Sequence, residues 1–133
     1  MHLRGWFQAC RDMNEAYVSF EIAKLLKEKG FKEECKYFYE WRGDTDEPQI
    51  YFYYLDGGTC NDDDCPSRYS MPLAGKVKRW MREIHDIYTS TASYRNGYCT
   101  DINTKYYSVR LYSDLSYEDH TELVLEYILK KFI

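Results

Sequence analysis

Two cysteines, Cys60 and Cys65, bracket Asn61, Asp62, Asp63 and Asp64, so two thiols and three carboxylates fall in one short loop. Both groups ligate metals, but structural zinc takes four ligands in paired spacings, and this C-x4-C has no second pair nearby. The alternating acids and terminal Glu of an EF-hand calcium loop are absent too. A solvated acidic loop is the expectation, with no metal and no cofactor. His85, Asp86 and Cys99 supply the parts of a cysteine-histidine nucleophile pair, yet a chain with 3 His and 5 Cys offers many such pairings. A histidine in a last helical turn is equally explained by its attraction to the helix C-terminus. No nucleophile elbow, phosphate-binding loop or H-E-x-x-H occurs. No residue is expected to be catalytic, and a small enzyme without a recognisable motif is an alternative reading.

The 15 tyrosines are the one compositional excess. Tyrosine is amphipathic, so it suits a sheet whose helices shield a single face, and it also gives large contact area at low entropic cost in binding surfaces. The candidate recognition residues are Tyr37, Tyr39 and Trp41, which alternate along one strand, and Tyr51 and Tyr53 on the next. Three cations of the second helix, Lys78, Arg79 and Arg82, join them. Stacking of bases on such a surface is the alternative, with Lys36, Arg42, Lys105 and Arg110 for phosphates.

These residues need elements to position them. Val18, Ile22, Leu25 and Leu26 recur at helical spacing within residues 14 to 29, Gly30 ends the pattern, and Phe31 is placed to fold back on the last turn. Two aromatic strands, Cys35 to Trp41 and Gln49 to Leu55, follow as a hairpin. Asp56 to Ser70 reads as loop. A second helix begins near Pro72 and buries Leu73, Val77, Trp80, Met81 and Ile84, leaving Lys76, Lys78, Arg79, Arg82 and Glu83 in solvent. Ile87 to Tyr94 and Tyr98 to Ile102 flank the hairpin signal Asn96-Gly97. Lys105 to Tyr112 is a further strand. Ser116 and Asp119 resemble a capping box that opens a last helix through Leu123, Val124, Tyr127 and Ile128. The expected fold is α+β, an antiparallel sheet of four to five strands with three helices mainly on one face, in the order α-ββ-α-β(β)β-α. A faint internal echo, helix then aromatic hairpin, does not amount to a duplication.

At 133 residues, 44% of them apolar, the chain is expected to form a single domain with a packed core over 1 to 133. Met13 immediately precedes the helical pattern, which marks residues 1 to 12 as an N-terminal extension, although Trp6 and Phe7 are of a kind that docks on a domain. The net charge of −4 is not that of a polyanion binder. Seven acids and no base lie between Gly43 and Pro66, whereas Ser67 to Arg82 holds five bases and no acid. The acidic stretch repels a phosphate backbone, so a protein partner ranks above nucleic acid. No apolar run approaches a membrane span or a signal-peptide core, and an odd number of cysteines fits reduced thiols. Cytoplasmic location and no membrane contact are the expectations.

The run Ile22-Ala-Lys-Leu-Leu-Lys-Glu-Lys-Gly-Phe31, the aromatic hairpin, Met71-Pro-Leu-Ala with Lys78-Arg-Trp-Met-Arg-Glu-Ile-His85, and the Tyr117-Glu-Asp helix resemble a group of short uncharacterised proteins encoded by phages and prophages of gut anaerobes. The similarity spans roughly Asn14 to Ile133 and leaves out the Asp62 to Asp64 loop. It implies this architecture and a bacterial host cell, and it carries no activity. The function expected is that of a non-enzymatic accessory protein acting by protein-protein contact, with oligomeric state and any anti-defence role open.

Overall fold

The computed structural model describes residues 16–41, 43, 49–52, 61 and 66–133, with the backbone alone at Tyr51 and Phe52. The N-terminal twelve residues, Arg42, Tyr53 and the Cys60, Asp62 to Asp64 and Cys65 cluster lie outside this set. The fold is α+β, and the chain divides into two compact units, one ending at Leu73 and the other running from Ala74 to Ile133.

The first unit opens with helix α1, Phe20–Glu28. It starts later than its apolar period suggests. Tyr17 forms an isolated bridge with Leu73, the Val18 N–H donates to Pro72 O, and Ser19 caps the helix by accepting from the Ile22 N–H. Gly30, at φ 89°, closes it in a Schellman arrangement: the Phe31 N–H reaches Leu26 O at 2.9 Å and the Gly30 N–H reaches Lys27 O at 3.2 Å. Phe31 is fully buried, as its place beyond the glycine predicts.

Strands β1, Tyr37–Glu40, and β2, Gln49–Phe52, form the expected antiparallel hairpin, with Tyr37 opposite Phe52 and Glu40 opposite Gln49. A third strand, β3, Arg68–Ser70, lies in the segment read as loop and pairs with the other side of β1. Its short length and the Asp- and Pro-rich approach hide it from a periodicity argument. Asn61 anchors it: Asn61 Nδ2 donates to Phe31 O and Oδ1 accepts from the Ser70 N–H, both out of solvent. Phe20 packs against Tyr39, Trp41 and Tyr69, so α1 covers that face of the sheet.

The second unit begins with helix α2, Ala74–His85. Val77, Trp80 and Met81 are buried as expected, and Arg79 and Arg82 are exposed. The other expectations for this helix are corrected. Leu73 is half-buried and precedes the helix, Ile84 is 64% exposed in the last turn before the chain reverses at Asp86, and Lys76 and Lys78 are half-buried, Lys78 with its ammonium over the Tyr117 ring. Asp86, at φ 56°, then reverses the chain so that the Ile87 N–H bonds Met81 O at 3.0 Å. Left-handed backbone at a helix end suits Asp and Asn better than other side chains.

Strands β4, Tyr88–Tyr94, β5, Gly97–Asn103, and β6, Ser108–Ser113, form an antiparallel meander in that spatial order. The β4–β5 turn is Arg95-Asn96, with Tyr94 paired to Gly97, not Asn96-Gly97. Helix α3, Tyr117–Lys131, opens at the predicted cap, where Ser116 Oγ accepts from the Asp119 N–H. It buries His120, Thr121, Val124, Leu125, Ile128 and Leu129, one step around from the stripe read in the sequence, and Leu123 is 39% exposed.

Where one sheet of four to five strands was expected, the described residues thus form two sheets of three, in the order α-βββ-α-βββ-α. The echo between halves stops at element type. In the first sheet the earliest strand is central, in the second the middle one is, so the two connections differ.

Candidate functional site

In the second sheet, alternation sends Thr89, Thr91, Tyr98, Thr100, Ile102, Val109, Leu111 and Ser113 to one face, and α3 covers it. The opposite face carries Tyr88, Ser90, Ala92 and Tyr94 of β4, Cys99 and Asp101 of β5, and Arg110 and Tyr112 of β6. Tyr88, Tyr94 and Tyr112 are 51%, 44% and 53% exposed. The Tyr94 and Tyr112 rings meet at 5.1 Å across the sheet. Arg110 Nε donates to Asp101 Oδ1 at 2.6 Å, and this bond holds the Asp101 carboxyl below its usual range. The pair is in solvent and adds little stability, but it neutralises the face.

The covered face holds a hydrogen-bonded chain. Ser113 Oγ lies 2.6 Å from His120 Nδ1, His120 Nε2 lies 2.7 Å from Thr100 Oγ1, and Thr100 Oγ1 lies 2.7 Å from Thr91 Oγ1. A serine beside a histidine has the parts of a nucleophile and its base. Here the imidazole is wholly buried and both its nitrogens are engaged by hydroxyls, so the chain ties α3 to the sheet rather than presenting a nucleophile. Burial, and secondarily the Lys78 charge, lower the His120 pKa and keep the ring neutral.

At one end of the second unit, His85, Asp86 and Ile87 face the β5–β6 turn, Thr104 to Tyr107, and Phe132, around a cleft of about 340 Å³. The turn is rigid. Thr104 Oγ1 accepts from the Tyr106 and Tyr107 N–H groups, and the Thr104 N–H donates to Tyr107 O at 2.8 Å. It holds Tyr106 78% and Tyr107 65% exposed, with Tyr107 stacked on Phe132 at 6.2 Å and the Lys105 ammonium 5.5 Å from the Tyr106 ring. His85 packs edge-on against Trp80, its pKa is lowered by burial, and its buried Nε2 has no hydrogen-bond partner.

The residues singled out from the sequence are scattered. Tyr39 is fully buried and its hydroxyl donates to Val18 O at 2.6 Å, Tyr37 is half-buried against Tyr17, and Trp41 is stacked on Phe20. The Tyr51 side chain and Tyr53 lie outside the described residues. Lys78 is engaged with Tyr117, while Arg79 and Arg82 face solvent on α2. Asp86 lines the cleft with His85, but Cys99 is on the open sheet face instead. Among the described residues no group of three or more His, Cys, Asp or Glu is placed to hold a metal. Tyr88, Tyr94, Tyr112, Tyr106 and Tyr107 were not singled out; the Tyr-Thr-Ser-Thr-Ala-Ser-Tyr alternation of β4 and the adjacent Tyr106-Tyr107 were the available signals. No helix among the described residues is long and apolar enough to cross a membrane. No protein-family model, curated protein or solved structure matches the chain.

Proposed function

We propose that the protein is a non-enzymatic accessory protein of phage type that acts by contact with another protein, through the open face of the β4–β5–β6 sheet. The observation that carries this reading is the set of three tyrosines and one arginine displayed there. Tyr and Arg are enriched where binding energy concentrates, and rings held on a sheet lose little freedom on docking. The phage setting and the bacterial cytoplasm are supported by the sequence resemblance alone. Nucleic-acid binding is the weaker reading, because Arg110 is paired with Asp101 on this face and the second unit carries nine basic residues against eight acidic ones.

The test is affinity capture from a host lysate with the parent and a Tyr94→Ala, Tyr112→Ala variant in parallel. A partner retained by the parent and lost from the folded variant supports the reading. Equal capture by both moves the interface elsewhere. Oligonucleotide binding that weakens steeply with salt would replace it, since phosphate contacts release counterions.

A further inference from the structure

We propose that the cleft between Asp86 and the Thr104 to Tyr107 turn receives an arginine side chain from an extended segment of the partner polypeptide. This deepens the protein-contact role by naming the partner's chemistry, and it concerns a different surface from the open sheet face.

The lining sets the class of occupant. Asp86 is exposed, has no ion-pair partner among the described residues, and contributes a carboxylate to the cleft. Around it stand Tyr106, Tyr107 and Phe132, whose ring faces attract cations. A guanidinium is planar and weakly hydrated, so it stacks on such rings while its fork of N–H donors binds a carboxylate. The molecule already contains one cation placed in this way, the Lys105 ammonium over Tyr106. Burial lowers the His85 pKa and so works against a positive ring there, while Lys105, also in the lining, is a like charge that an incoming guanidinium displaces from Tyr106. The buried His85 Nε2 has no hydrogen-bond partner among the described residues.

Size and preorganisation agree. A volume of about 340 Å³ is at the lower end of ligand clefts, enough for one long side chain and part of its backbone. The Thr104 hydrogen bonds fix the backbone that carries the two tyrosines before anything binds, so no loop ordering is needed on docking.

The test uses the full-length chain, isotope-labelled for NMR and titrated with a blocked Gly-Arg-Gly peptide, its citrulline counterpart, and free arginine. Citrulline has nearly the same shape and no charge. The expected result is saturable shifts at His85, Tyr106 and Tyr107 with the arginine peptide, and binding weaker by about tenfold or more, roughly 1.4 kcal/mol, with citrulline. Asp86→Asn should cause a similar loss without disturbing the fold, because Asn takes the same positive φ readily. Lys105→Met, which frees the face of Tyr106, should strengthen binding. No response to the arginine peptide, equal binding of citrulline, or an unaffected Asp86→Asn variant would overturn the proposal. Free arginine binding as tightly as the peptide would overturn the polypeptide assignment. If the peptide fails while the Tyr94→Ala, Tyr112→Ala variant still loses its captured partner, the cleft inference falls and the contact role stands.

Discussion

Partial burial of His85 and full burial of His120 should make the protein sensitive to mild acid. Burial lowers the pKa of both His85 and His120 from the ordinary 6.5, so the unfolded chain binds protons that the folded chain refuses. The stabilising contribution is complete above about pH 6.5 and is lost as pH falls toward the folded values, because stability rises with pH wherever the unfolded state binds more protons. Thermal unfolding should therefore shift to lower temperature between about pH 7.5 and pH 5.5, a window in which carboxylates with ordinary values stay ionised. The double variant His85→Gln, His120→Gln should have a flatter profile over the same range, whatever its absolute stability. A parent melting temperature that does not move in this window would show that neither ring resists protonation.

Two elements depend on single positions. Gly97 is the first residue of β5, and a Cβ there would collide with Ser113 O and lie 2.6 Å from Asp114 Cα. Both are backbone atoms that cannot swing aside, so Gly97→Ala should destabilise by about 3 kcal/mol, the upper range for overpacking. Chemical denaturation measures it, and a loss under about 1 kcal/mol would mean that the β6 end yields easily. In the sequence this glycine reads as half of a turn, whereas its role comes from a neighbour sixteen residues away. Helix α2 is held by Trp80, 4% exposed, whose truncation in Trp80→Ala should cost about 3–5 kcal/mol. Exposed Arg79, replaced by Ala, should change stability by less than about 0.5 kcal/mol. Near-parent stability of Trp80→Ala would contradict the packing of this helix.

At the scale of the molecule, the sequence by itself determined the α+β class, the first hairpin, the glycine stop of α1, the Ser116 cap, and the buried stripe of α2 through Met81. These features are local. They rest on period, capping and turn chemistry, which act within a few residues and leave a readable pattern. Only the tertiary structure decided that the strands make two sheets of three, that β3 closes the first, and that Tyr39 is core while Tyr94 and Tyr112 lie open. Strand pairing joins segments far apart in sequence. Tyrosine is compatible with either side of a sheet, so composition does not tell a buried ring from a displayed one. The same limit explains the candidate site. Asp86, Tyr106, Tyr107 and Phe132 are ordinary residues along the chain, and they become a cleft because the end of α2, a tight turn and the residue that follows α3 converge, which no local pattern encodes.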